Sequence, residues 1–463
     1  MISPFGVLSA VCLVAAGLTM LVLWHPRMIP AVVGVWTLGI VLVPAARAGR
    51  YDVLSSWTMG ALCLLIGLTL RGFYVSAGFP DEVTLDEMFW LGKAPTFFAW
   101  PGLFLLASLG LFAAGFGVPT ARNVARRLFW DQSRLYPVAW MLLGLSLVGT
   151  VAYISLTRDS ASGLLSAKRT VIPDLELTGS GYLSFGWARF LASFGFFGHL
   201  LVLGDALGEE SRSRKAKLVF SGLLFVCSAL VPIYASLRGT VAMNALLSLA
   251  LIYHFRPSVA KWVAVPGLFL VAVLVQSMTL LRAERDSADA WERFHPGWEA
   301  LDSVVLNRNQ IDLFKTAHIM NAVPEELPYA WGRTIAVWAL SPVPREIWPD
   351  KPVTQPGPEV GSVVYDQRVA GVPPGLVAEG YWNFGWLGAL GLCWLAGNGL
   401  RALESRFRPL PGEPGPRFLV YLVGVFPFAF HVLGNSLGMG LHRFVMDTVL
   451  MWGICRLAYC PRP

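Results

Sequence analysis

The chain has 463 residues, 55% of them hydrophobic and only 14% charged, with a mean hydropathy of +0.57 and a formal net charge of +7. That balance is too apolar for an ordinary water-soluble domain and defines an integral membrane protein. The excess of Lys and Arg does not imply a nucleic-acid partner, and none is expected, because in a membrane protein loop cations first report topology.

Apolar runs of roughly 18 residues or more mark bilayer spans. They fall near 4–24, 28–46, 53–70, 95–117, 136–156, 183–204, 218–235, 240–255, 262–281, 376–400, 418–437 and 441–459. The chain therefore reads as one all-α polytopic transmembrane domain over 1–463 with about twelve helices. The first run has no Lys or Arg before it and no small-residue cleavage site, so it reads as a retained helix. Basic clusters recur in alternate loops: Arg47 and Arg50; Arg122, Arg126, Arg127 and Arg134; Arg212, Arg214, Lys215 and Lys217; Arg256 and Lys261; Arg401, Arg406, Arg408 and Arg417. The positive-inside rule places these loops and both termini in the cytoplasm. It leaves 71–94, 157–182 and a large loop over 282–375 outside, the last between spans nine and ten. None of the six cysteines lies in the large loop, so no disulfide framework is expected there, and no Cys/His spacing suits a metal.

The large loop opens on RAERDSADAWERF, whose charges at 282, 285, 286 and 289 share one face if the preceding helix runs on. A second helical patch, ALDSVVLNRNQIDLFKTAHIMNAV, with Val304, Val305, Phe314 and Ile319, is expected on the outer surface. TIAVWALSPVPREIWP, broken by Pro342, Pro344 and Pro349, is too short to span and reads as a re-entrant or interfacial hairpin.

Several polar residues belong to the expected external side. Arg189, inside the sixth span, is costly in lipid and is expected to face a polar cavity or a buried acid. Arg238 follows a very short turn, in SLRGT, where a guanidinium beside a helix N-terminus suits phosphate; snorkelling is the alternative. Arg282 and Arg285 emerge one turn apart, with Glu284 and Asp286 as competing partners. In PREIWPDKP the prolines would hold Arg345 and Lys351 as a cationic rim for a diphosphate, or anchor the segment to headgroups with Trp348. In AEGYWNFGWLG, Glu379 and Asn383 share a helix face. Glu379 could act as a general base and Asn383, Tyr381 and Trp382 could contact sugar, or the aromatics could simply form an interfacial belt. His431 and Asn435 share another face. His442 is a second candidate base, and Arg443 a further cation beside it. The chain has no D-x-D pair, no GxxxxGK[ST] and no GxGxxG of weight, so neither a metal-bound sugar nucleotide nor another cofactor is expected.

The SLRGT turn, the late external loop with VPREIWPDKP, and the GLVAEGYWNFGWLG re-entry together resemble the Wzy-type oligosaccharide repeat-unit polymerases, the O-antigen polymerase family. The motif support covers the second half of the chain, and hydropathy alone covers the first. The resemblance implies a GT-C-like glycosyltransferase of the bacterial inner membrane, working without a metal. It would transfer a growing glycan from polyprenyl diphosphate to another lipid-linked repeat unit at the periplasmic face. It also implies external arginines on the diphosphate, membrane lipids as surroundings, and a chain-length regulator protein as partner. An O-antigen ligase-type transferase and a lipid-linked oligosaccharide flippase remain the alternatives.

Overall fold

The computed structural model describes all residues except 1–2, 23–24, 79–93, 120–129, 132, 158–185, 209–212, 236, 287–303, 307–309, 341–342, 344–347, 349–355, 366–371, 409–414 and 462–463. The described residues form α1 (Pro4–Val22), α2 (Ile29–Ala48), α3 (Ser56–Ser76), α4 (Ala94–Phe116), α5 (Leu135–Thr157), α6 (Gly186–Gly208) and α7 (Arg214–Tyr234). There follow α8 (Arg238–Phe255), α9 (Pro257–Asp286), α10 (Leu313–Ala322), the short α11 (Arg333–Ala336) and α12 (Gly357–Tyr365). The chain closes with α13 (Leu376–Phe407), α14 (Pro416–Gly434) and α15 (Leu437–Ala458). Apart from a two-residue antiparallel pairing of Trp130–Asp131 with Cys460–Pro461, the described fold is helical.

Every predicted span coincides with a helix. Nine helices among the described residues are long and apolar enough to cross a membrane. The other three, α8, α13 and α15, have sufficient length at 18, 32 and 22 residues but carry more polar side chains. Their polarity has a structural reason in α13, whose Glu379, Asn383 and Glu404 are all buried against protein partners and not presented to lipid.

Two apolar clusters organise the bundle. One joins α2, α3, α4, α10, α13 and the last turns of α14; the other joins α5, α6, α7, α8, α15 and the first half of α14. α14 is thus the central helix, buried along nearly its whole length. Small residues allow the closest contacts, as expected where lipid gives no hydrophobic drive for helix association. A Cβ on Gly397 of α13 would stand 2.0 Å from the Phe112 carbonyl of α4, and one on Gly115 would stand 2.3 Å from the Trp394 carbonyl. α13 and α4 therefore touch backbone to backbone at two levels. α13 is broken at Gly385, where φ is 65° and ψ is −160°.

At the Arg408 end of the bundle, a partly exposed ionic clamp built on the buried Glu404 ties α13 to the α2–α3 turn. Arg408 donates to Asp52 at 2.7 Å and to Glu404 at 2.8 Å, and Glu404 in turn accepts from Ser55 at 3.1 Å and Ser56 at 2.6 Å. Burial pushes the Asp52 carboxyl up, but the hydrogen bond and charge of Arg408, with Arg50 and the Leu54 amide, together hold it below the usual carboxylate range.

The large loop departs from expectation in one respect. Its second helical patch keeps only Val304 of the four named apolar residues exposed: α10 is capped by Asp312 and inserted among α4, α12 and α13, with Val305, Phe314 and Ile319 all buried. Periodicity identified the helix, but the second covering layer comes from residues distant in sequence. α9 does run on, to Asp286. The tip of the expected hairpin, with Arg345 and Lys351, lies outside the described residues.

Candidate functional site at the Glu379 end

Glu379 sits in the first turn of α13 and is fully buried. Its Oε1 accepts the Thr334 hydroxyl at 2.8 Å, and its Oε2 accepts the backbone N–H of Leu437, the first residue of α15. The carboxylate therefore lies at the amino-terminal ends of two helices, where unpaired amides and the helix dipole favour negative charge. Asn383, one turn along, orders the surroundings. Its side-chain amide donates to Thr334 Oγ1 at 2.7 Å and to the Glu379 carbonyl at 2.8 Å, while its Oδ1 accepts from Gly332 N–H at 2.8 Å. A continuous hydrogen-bond chain thus runs from the 330s segment through Asn383 and Thr334 to Glu379 (the predicted shared face of Glu379 and Asn383), with Thr334 as its middle member. Gly375, at φ 79°, starts α13 and donates to the Asn435 carbonyl at 2.6 Å, which holds the starts of α13 and α15 together.

A second polar group lies next to it, separated by Ile311, which packs on both Gly67 and Gly375. Here Arg71, Asp312 and Lys315 are all buried. Asp312 caps α10 by accepting from Lys315 N–H, and its Oδ2 stands 4.0 Å from Arg71 and 3.9 Å from Lys315, beyond hydrogen-bonding distance. Lys315 Nζ donates to the Gln310 carbonyl at 2.6 Å and Arg71 to the Val305 carbonyl at 3.4 Å. A π-turn over Leu65–Leu70 precedes Arg71 and brings Gly67 against the Ile311 carbonyl, where a Cβ would clash at 2.1 Å. Such turns are frequent at functional sites. Arg71 also lines a small pocket with Pro30, Val33, Val75 and Phe98. Among the described residues this group holds two cations around one carboxylate.

Burial pushes the Lys315 ammonium down to about 8, with Arg71 adding to the fall while Asp312 and Cys63 oppose it. Between about 8 and the ordinary 10.5 the unfolded chain holds a proton that the folded chain has released, so stability rises with pH across that window and is level below it. Thermal melts in detergent from pH 7.5 to 10 should show a gain of about 2 kcal/mol. Lys315→Met should flatten that rise, and an unchanged slope in the variant would remove Lys315 as its source.

The other predicted residues are placed as follows. Tyr381 and Trp382 offer no face to a sugar. Trp382 is fully buried with its indole N–H on the Pro328 carbonyl at 2.9 Å, and Tyr381 packs edge-on against Phe104 and Trp386. Arg189 is exposed in the first turn of α6 and not in an enclosed cavity, because that helix begins only at Gly186. Arg238 is the first residue of α8, partly buried, after the three-residue turn that follows α7. His442 and Arg443 lie within α15 and not in a turn, since the turn falls at Asn435–Ser436. Arg443 is 3.8 Å from Asp447, one turn on. Arg282 and Arg285 lie on the described end of α9, but their side chains, like all of Arg345 and Lys351, are outside the described residues. The convergence expected of Arg238, Arg282 and Arg345 therefore falls largely there too.

Arg71, Asp312, Lys315 and Thr334 were not singled out from the sequence. The available signal was an Arg inside the apolar run GLTLRGFYV and a Lys inside LFKTAHIM, each of which needs a buried partner. On the outer flank of α13, an apolar groove runs past Leu392, Gly399, Phe428 and Leu441 between Leu437, whose amide meets Glu379, and Arg406. No family model, curated protein or solved structure matches the chain.

Proposed function

We propose that the protein is a membrane glycosyltransferase that polymerises polyprenyl-diphosphate-linked oligosaccharide repeat units at the external face. In this reading it has a twelve-span, GT-C-like architecture in the bacterial inner membrane, with both termini cytoplasmic. The observation that carries the reading is the pairing, at one end of the bundle, of a buried carboxylate held by a polar relay with an adjoining group of two buried cations around one acid.

The reaction asks for both parts. The bond from the anomeric carbon to the diphosphate breaks, and negative charge develops on the leaving lipid diphosphate. Fixed cations in a water-poor site stabilise that charge more than they stabilise the ground state. Arg71 and Lys315, with the expected contributions of Arg238, Arg282, Arg285 and Arg345, supply them. The acceptor hydroxyl forms the new bond to the anomeric carbon and gives its proton to Glu379. Thr334 occupies Glu379 Oε1 in this conformation, so the acceptor hydroxyl takes the place of the Thr334 hydroxyl. The apolar groove beside α13 suits an isoprenoid chain lying along the bundle with its diphosphate at the Glu379 end.

Deleting the chain from its host and resolving surface glycan on a gel tests this. A polymerase leaves single repeat units on the final acceptor. Long chains retained on carrier lipid would make the protein a ligase, and repeat units trapped facing the cytoplasm would make it a flippase.

A further inference from the structure

Trp331 is the one non-glycine residue among those described with a positive φ, at 49°. A bulky aromatic side chain disfavours that region, so the surroundings must impose it. They do so through α13: Ala330 N–H donates to the Trp382 carbonyl at 3.0 Å, and Gly332 N–H donates to Asn383 Oδ1 at 2.8 Å. Both neighbours of Trp331 are therefore pinned to α13, one to the Trp382 carbonyl and the other to Asn383 of the Glu379 relay, and the tryptophan between them is turned outward. It is 78% exposed. Its ring lies 5.6 Å from that of Tyr329, whose hydroxyl end approaches the break in α13 at Gly385. Phe384, also exposed, closes the other side of Gly332. Three residues further along the same segment, Thr334 meets Glu379.

We infer that Trp331, backed by Tyr329, is a platform on which a pyranose ring of the glycan stacks, so that the sugar's hydroxyls lie towards Thr334 and Glu379. A pyranose has an apolar C–H face and a polar edge, and a rigid aromatic beside a polar group matches both. An interfacial anchor needs only exposure, as at Trp262, which stands exposed on regular helix in α9. Trp331 is instead held in a costly conformation by residues of the candidate site. The inference rests on the glycosyltransferase reading and names the part of the site that holds sugar.

The test uses the full chain in nanodiscs and, as probe, the oligosaccharide released by mild acid from the carrier lipid of cells lacking the chain. Binding is read by saturation-transfer NMR titration. Trp331→Phe should bind within about threefold of the parent. Trp331→Leu keeps apolar bulk without a flat ring face and should bind about tenfold more weakly, matching one aromatic contact. Trp331→Gly, which suits the backbone, should bind as weakly as Trp331→Leu while melting no lower than the parent. Undiminished binding by Trp331→Leu would overturn the platform and leave Trp331 as a membrane anchor. A parent chain that neither binds the probe nor, when deleted, changes the glycan ladder would overturn the glycosyltransferase reading with it.

Discussion

Glu379→Gln is expected to abolish polymer, lowering turnover by about 10²–10⁴-fold, while the protein reaches the membrane in unchanged amount. Gln has the same shape and retains an oxygen for the Leu437 amide. Its amide group can donate to Thr334 Oγ1, so the contacts that join α13, α15 and the 330s segment survive in altered polarity. What is lost is the ability to take a proton. Glu379→Ala is a harsher change, since it leaves the Leu437 amide and the Thr334 hydroxyl without their buried partner, which costs about 1–3 kcal/mol for each group. The pair of variants separates two roles. If Glu379 only fastens helices together, Glu379→Gln should make glycan ladders of normal length while Glu379→Ala fails through instability. If it is the base, both lose polymer and only Glu379→Ala melts early. Normal ladders from Glu379→Gln would remove the residue from the mechanism.

Asp312→Asn is expected to destabilise the protein by about 3–5 kcal/mol. Asn can still cap α10, so the loss isolates charge: Arg71 and Lys315 remain buried without the acid that stands 4.0 and 3.9 Å away. Taking away one cation should restore much of the loss, and Asp312→Asn with Lys315→Met should melt well above Asp312→Asn alone. Thermal melts and protease resistance in detergent read both. Melting of Asp312→Asn within a degree of the parent would mean that the acid does not balance these cations. The same variant bears on function only through the double change, because an unfolded protein would lose activity for trivial reasons.

Hydropathy located the helices well, because a run of roughly 18 apolar residues has few other uses. Glu379 and Asn383 were legible for a related reason: two polar residues four apart on a span share a face and must point into protein. The rest of the site required contacts between distant segments. Thr334 reaches Glu379 across 45 residues, and Arg71 reaches Val305 across 234. No local pattern encodes such pairings. Aromatic roles were misread on the same account. Trp382 was a candidate sugar contact until the Pro328 carbonyl, 54 residues upstream, proved to take its indole N–H, while Trp331, in the stretch between the two loop segments that carried a sequence signal, faces outward. The amphipathic helix α10 was recognisable, but which of its faces would be covered depended on α4, α12 and α13.

The break at Gly385 divides α13 into two pieces with different attachments. Beyond it, the long piece is fixed to α4 through Gly397 and to the α2–α3 turn through Arg408. Before it, the short piece carries Glu379 and Asn383 and is tied to the 330s segment and to the start of α15. A Cβ on Gly380 would stand 3.1 Å from the Ala389 Cα, so Gly385 folds the first piece back against the second, and the bend, not a straight helix, sets where the Glu379 carboxylate meets the 330s segment.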